Sequence, residues 1–312
     1  MTSFAFVFPG QGSQAVGMLD AWGDHPAVRA TLEEASAALG EDIARLIAGG
    51  PKEQLDLTTN TQPVMLTAGI ACWRAWLAEG GARPAAVAGH SLGEYSALVA
   101  AGALTLADAL PLVRFRAQAM QEAVPVGAGA MAAILGLDAA TVREGCAQAA
   151  AASGEVVEAV NFNDPKQTVI AGSKAGVEKG CEVLKGLGAK RALPLPVSAP
   201  FHSSLMKPAA ERLKLRLAEV ALAPPAITVV NNIDVASPTD PDAIRDALYR
   251  QAFGPVRWVE VVQALRARGI THVVECGPGK VLAGMAKRID ADLVSAALFD
   301  PASLAEVKGL LA

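Results

Sequence analysis

Five consecutive residues, Gly89-His90-Ser91-Leu92-Gly93, set a serine between small neighbours in the pattern G-x-S-x-G. They follow a short apolar run and precede an alanine-rich stretch of helical spacing, so the chain must turn from strand to helix within a few residues. Such a turn tolerates only small residues two before and two after the serine, and it pushes the hydroxyl out at a helix N-terminus. A serine hydroxyl at its ordinary pKa is a poor nucleophile and needs a base within hydrogen-bond reach. Four histidines are available. His90 adjoins the serine, where neighbouring side chains diverge; His25 lies in a polar loop before Pro26; His272 opens a strand-like run. His202, in Pro200-Phe201-His202-Ser203, falls at the start of a helical stretch from which a side chain can face the serine; a lone histidine is more often a packed core residue, but elimination favours this one as the base.

Gly10-Gln11-Gly12-Ser13-Gln14-Ala15 matches G-x-G-x-x-A, the fingerprint of a dinucleotide site. That reading needs a second strand ending in an acid about twenty residues on. Residues 32–38 have helical spacing instead, which rejects it. A glycine-rich loop at the carboxyl end of a central strand can also offer a backbone N–H to a developing oxyanion, worth roughly 3 kcal/mol per donor. Gly277-Pro278-Gly279-Lys280 misses the phosphate-loop frame because Val281 follows the lysine, and it reads as a tight strand-to-helix turn. Arg114 and Arg116 share a helical stretch with Leu110, Val113 and Met120. An arginine among such neighbours is either a snorkelling or salt-bridged residue or a bidentate clamp for a carboxylate.

The elements that must position these residues show in the hydrophobic pattern. Phe4–Phe8 is a β-rich apolar run stopped by Pro9-Gly10, as expected of a buried parallel strand, and residues 85–88 form a second that runs into the serine turn. Helical spacing dominates residues 27–79, with a turn expected at Asn60-Thr61. From residue 127 to 196 the order becomes strand 129–135, helix 139–151, strands 156–162 and 167–171, helix 174–187 and strand 189–195. That is the β-α-β-β-α-β order of a ferredoxin-like unit. Strands are expected again at 227–230 and 272–275. The organisation predicted is a discontinuous α/β domain, residues 1–126 and 197–312, interrupted by a small ferredoxin-like α+β subdomain, residues 127–196.

With 312 residues, 52% of them hydrophobic, the chain can build a full core. A net charge of −4 gives no global field to hold nucleic acid or an anionic membrane. Cys72, Cys146, Cys181 and Cys276 are widely spaced, without a CxxC pair, and read as reduced thiols. No metal-ligand spacing appears. The opening residues lack a basic region before their few apolar positions, and the longest apolar stretches are broken, as at Asp108 and Pro111. A soluble, cytoplasmic protein is expected.

Taken jointly, Gly10-Gln11-Gly12-Ser13-Gln14, residues 89–93, Arg114-Phe115-Arg116, Asn161-Phe162-Asn163 with Pro165 and Gln167, Pro200-Phe201-His202-Ser203, Asn231-Asn232 and Gly277-Pro278-Gly279 resemble the malonyl-CoA:acyl carrier protein transacylases of bacterial fatty acid synthesis. The resemblance runs to about Ile289. It implies an α/β-hydrolase-like core with a parallel sheet and a ferredoxin-like insertion. It also implies Ser91 as nucleophile, His202 as general base, the Gln11 and Leu92 N–H groups as oxyanion hole, Arg116 as partner of the malonyl carboxylate and the Gln251 carbonyl as the acceptor that orients His202. A carbonyl in that place explains why no triad aspartate is evident.

The reaction implied is ping-pong transfer of malonyl from malonyl-CoA, through a malonyl-serine, to the phosphopantetheine thiol of acyl carrier protein, with no cofactor of the enzyme's own. Phe201 and Leu92 suggest malonyl over methylmalonyl, while Ala117, where many relatives have glycine, tightens the pocket slightly. An acidic carrier protein would dock on basic residues: Lys287 with Arg288, Lys190 with Arg191, or Lys207, Arg212, Lys214 and Arg216. A monomer is expected. The rival readings are a serine esterase or thioesterase with the same elbow, and a non-catalytic binding domain.

Overall fold

A computed structural model describes residues 2–197 and 199–312. It is a mixed α/β structure with nine strands among the described residues: β1 (Phe4–Phe8), β2 (Ala86–Gly89), β3 (Gly129–Leu135), β4 (Val157–Asp164), β5 (Gln167–Ser173), β6 (Arg191–Pro194), β7 (Thr228–Val230), β8 (His272–Cys276) and β9 (Val294–Leu298).

Five of them form a parallel sheet in the order β7-β2-β1-β8-β9. β1 is central and buried along its whole length, which is why it carries no polar residue. Its alternation still matters: Phe4, Phe6 and Phe8 enter one core, and Ala5 and Val7 enter another with Trp258. On the phenylalanine side, Phe6 meets Trp73 at 5.7 Å and Trp76 at 5.5 Å between ring centroids, edge to face. Both tryptophans lie on the helix Thr58–Ala78, which is buried nearly all round. The turn expected at Asn60-Thr61 is therefore absent. The helix starts at Thr58, and the Thr61 hydroxyl bonds back to the Leu57 and Leu55 carbonyls, satisfying locally what a turn would have satisfied.

The register pairs Phe8 with Gly89 and Val7 with Glu275, so β1, β2 and β8 end on the same edge of the sheet. The glycine-rich loop, the serine turn and the Gly277-Pro278-Gly279 turn all leave from that carboxyl edge, where open α/β sheets bind their ligands.

The other four strands form an antiparallel sheet in the order β4-β5-β3-β6, the ferredoxin-like arrangement. β3 shows how it faces two ways. Ala132 and Ile134 pack with Val142, Cys146 and Leu184 of the helices Ala139–Ser153 and Lys174–Gly186, whereas Met131 and Ala133 turn to Leu195, Val197 and Phe201. β4 is also joined to the loop before the helix Trp258–Ala267: Phe162 N–H donates to the Val256 carbonyl at 2.9 Å, and Val256 N–H to the Val160 carbonyl at 2.8 Å. The edge strand β9 was not expected from the sequence.

Candidate active site

The serine turn is fixed by steric necessity. Gly89 ends β2 and Gly93 starts the helix Gly93–Ala100. A Cβ on Gly93 would lie 2.0 Å from the Phe8 carbonyl oxygen, and one on Gly89 would lie 1.9 Å from the Gly93 backbone. Between them Ser91 is held at φ 52°, a left-handed backbone that serine rarely adopts. Asn232 clamps the turn from both sides: its Oδ1 accepts from Ser91 N–H at 2.7 Å, and its Nδ2 donates to the Gly89 carbonyl at 2.7 Å.

His202 faces this serine, with Nε2 2.7 Å from Ser91 Oγ, and its Nδ1 lies 2.9 Å from the Gln251 backbone carbonyl. A carbonyl can only accept, so Nδ1 carries the proton and Nε2 is the free acceptor for the serine hydroxyl. The residue is 4% exposed, and burial, aided by the nearby Arg116 charge, pushes the imidazole down to about 3. Burial thus favours the neutral imidazole. His202 does not begin a helix; it sits in a turn at φ 65°, ahead of the short 3-10 turn Ser204–Met206 and the helix Lys207–Ala218. The other histidines have different partners, although His90 also borders the cavity. His25 Nδ1 caps the helix Pro26–Leu39, His272 bonds Thr271, and His90 turns to Asn163 Oδ1 at 2.8 Å against the Trp258 ring.

The two arginines separate cleanly. Arg114 makes a two-pronged pair with Glu41 on the surface, whereas Arg116, two residues on along the helix Leu106–Glu122, is 1% exposed and points into the site. Its Nη1 donates to Gln62 Oε1 at 2.8 Å; its Nη2 reaches Gln251 Oε1 at 3.1 Å and Ser91 Oγ at 3.2 Å. Its Nε has no acceptor, and the Tyr95 hydroxyl approaches without reaching hydrogen-bond geometry. Burial lowers the guanidinium pKa, yet an arginine stays charged in a protein. A buried cation whose hydrogen-bond partners are neutral amides and a hydroxyl is costly unless an anion arrives.

Gln11 and Leu92 line the same cavity of about 130 Å³ as Ser91, His202, Arg116, Gln62, Met120, Met131, Asn161 and Phe201. Among the described residues, neither the Gln11 nor the Leu92 backbone N–H has a partner within the protein. Leu92 N–H opens the helix that follows the serine, and Gly10 brings the Gln11 loop up, for a Cβ there would lie 2.6 Å from the His90 carbonyl. A serine hydroxyl, a neutral imidazole, two unspent N–H donors and a buried cation thus share one small cavity, an arrangement able to make and break an acyl-serine ester near an anionic group. Among the described residues no cluster of His, Cys, Asp or Glu could hold a metal.

The model of the acyl transferase domain matches residues 5–298. The chain is 55% identical over 306 residues to the malonyl CoA-acyl carrier protein transacylase of Escherichia coli, covering 98% of each. The chain belongs to the malonyl-CoA:acyl carrier protein transacylase family. It is an acyltransferase. A crystal structure of the acyl-carrier-protein S-malonyltransferase of Burkholderia pseudomallei superposes with a TM-score of 0.96 at 69% identity, covering 98% of this chain and 99% of that one. A malonyl-transacylase solved in complex with a type II PKS acyl-carrier protein gives a TM-score of 0.95 at 48% identity, covering 97% and 98%.

In this member of the transacylase family the site is also bordered by residues to which the sequence assigns no role. Nothing in the sequence pattern marks Gln62, and Asn232 and Asn163 stand out only through the resemblance. Glu94 had one legible signal, a carboxylate three residues after the serine in the first turn of a helix. Of the basic residues considered for docking, Arg288 pairs with Asp164, Arg212 with Glu122 and Arg216 with Glu219, while Lys287 caps the Ala291 carbonyl. Lys207 and Lys214 lie over the Phe253 and Tyr249 rings. Lys190 and Arg191 make no ion pair among the described residues, and no described helix is long and apolar enough to cross a membrane.

Proposed function

We propose that this protein transfers malonyl from malonyl-CoA to the phosphopantetheine thiol of acyl carrier protein, in two steps through a malonyl ester on Ser91, supplying extender units for fatty acid synthesis in the cytoplasm. The observation that carries the reading is Arg116, a buried cation without an anionic hydrogen-bond partner, set beside the nucleophile. In the first step Ser91 Oγ attacks the thioester carbonyl while His202 Nε2 takes the hydroxyl proton. The Gln11 and Leu92 N–H groups receive the oxyanion. The C–S bond then breaks, and coenzyme A leaves as its thiol with the proton from His202. In the second step His202 takes the proton of the carrier thiol, sulfur attacks the ester, and the proton returns to Ser91 Oγ. Arg116 holds the malonyl carboxylate throughout, and an acetyl group leaves that cation unanswered at a cost of about 1–3 kcal/mol. This chemistry calls for no metal or cofactor of the enzyme's own.

Intact-protein mass spectrometry after brief exposure to malonyl-CoA without acceptor tests the reading. The wild type gains a malonyl adduct that a holo carrier protein then removes, and Ser91→Ala gains none. Free malonate without an adduct would mean a hydrolase, and neither adduct nor turnover would mean a different acyl donor or a binding module.

A further inference from the structure

Glu94 has no part in the chemistry above, yet its carboxylate bonds two residues that hold the groups that do. It is 2% exposed, and its Oε2 accepts from Asn232 N–H at 2.8 Å and from Gln251 Nε2 at 3.0 Å. Gln251 Nε2 donates its second proton to the Ser91 carbonyl at 3.0 Å. Both amide hydrogens of Gln251 are therefore committed, and the end left for Arg116 is the oxygen, 3.1 Å from Nη2. The two ends of a primary amide are nearly the same shape, so packing cannot choose between them; the acceptors choose. Turned over, Gln251 would set oxygen against a carboxylate and a carbonyl, and its NH₂ against a guanidinium.

We propose that Glu94 positions the Arg116 guanidinium through the Gln251 side chain, and so sets the preference for acyl groups that carry a free carboxylate. Two amide oxygens fix the Arg116 fork, Gln62 on one prong and Gln251 on the other. Only the second depends on another residue for its direction. Without Glu94, the Gln251 amide has one acceptor instead of two, its flipped state gains population, and the prong beside Ser91 loses its anchor. The inference rests on the reading of Arg116 as the partner of the acyl carboxylate.

The experiment compares kcat/KM for malonyl-CoA and acetyl-CoA, with holo carrier protein as acceptor, in wild type, Glu94→Met and Glu94→Gln. Methionine keeps the size but offers the two donors no oxygen; glutamine keeps an oxygen for both. Glu94→Met should lower the malonyl-over-acetyl ratio about tenfold, the worth of one lost hydrogen bond, and Glu94→Gln should hold it within about threefold of wild type. Equal losses for both donors in Glu94→Met would reveal a merely structural residue and overturn the proposal, as would an unchanged ratio. A Glu94→Gln variant as impaired as Glu94→Met would overturn it too, by assigning the effect to charge. Labelling of Ser91 by an uncharged fluorophosphonate, which offers Arg116 no carboxylate to hold, checks that each variant is folded. If Glu94→Met is not, Glu94→Asp withdraws the carboxylate from Gln251 by one methylene and should lower the ratio in the same sense. A wild type that does not prefer malonyl would instead break the reading of Arg116, before Glu94 is in question.

Discussion

A histidine left in water gains a proton near pH 6.5 and ceases to be a base. His202 escapes that fate because burial and the Arg116 charge hold its protonated form down to about 3. The consequence for rate follows directly. Fluorophosphonate labelling of Ser91, which needs the base and not the acyl carboxylate, should change by no more than about twofold between about pH 8 and about pH 5. A fall with its midpoint near 6.5 would mean that water reaches the imidazole. Glu94, which burial lifts to about 7, titrates inside that range, but its Oε2 remains an acceptor in either form. Roles of this kind are poorly legible in a sequence. The serine turn announces itself by glycines at fixed offsets, whereas the Gln251 carbonyl that directs His202 has no residue-type signature, since every residue carries one.

At the scale of elements, the carboxyl edge of the parallel sheet is assembled from contacts without slack. Gly93 meets the end of β1 so closely that Gly93→Ala must displace either the Phe8 carbonyl or the helix start. Its expected cost is about 3 kcal/mol or more, read as a lower Tm together with loss of Ser91 labelling. The end of β8 is more forgiving. Glu275 there is fully buried and accepts from Ala283 N–H at 2.9 Å at the start of the helix Val281–Ile289, while its Oε1 has no partner. Burial raises this carboxyl to about 7 against the helix N–H groups that would lower it. A pKa raised in the folded state gives stability that is complete below the unfolded value, near 4.5, and lost as pH climbs through 7. Glu275→Gln, neutral at every pH, should therefore match wild type near pH 4 and exceed it at pH 8 by up to roughly 3 kcal/mol in urea unfolding. Equal stability at both pH values would mean that the ionised carboxylate is fully accommodated. β9 eluded the sequence for an elemental reason too: Val-Ser-Ala-Ala-Leu at a half-exposed edge has neither an apolar run nor a strict alternation.

Across the whole molecule, the cavity lies between two sheets of different kind, and β4 carries several of the polar contacts that tie them. β4 shares its bridge with Val256, Asn163 beside it receives His90 from the serine turn, and Asp164 pairs with Arg288. Asn163→Ala leaves His90 Nε2 without that partner. Amide hydrogen exchange should quicken across β4 and Val256 while the five-stranded sheet keeps its protection; uniform quickening would mean that the two sheets open as one unit. This arrangement was half legible. The element order of residues 127–196 gave the ferredoxin-like strand sequence, and the unbroken apolar character of Phe4–Phe8 gave a central parallel strand. Which face of the small sheet would meet the serine was not, because β3 reads as Gly-Ala-Met-Ala-Ala-Ile-Leu, apolar on both sides, and only the packed structure distinguishes Met131 from Ala132.

Three non-glycine residues among those described hold a left-handed backbone, Ser91, His202 and Val235, and two of them carry the proposed chemistry. Glycine at either position would relax the chain and lose the reaction. A campaign that breeds this protein for heat resistance alone would thus be drawn toward inactive descendants at positions 91 and 202. Directed evolution of this scaffold has to score turnover in every round, because its toughest offspring and its working ones part company at the two residues where the backbone is bent.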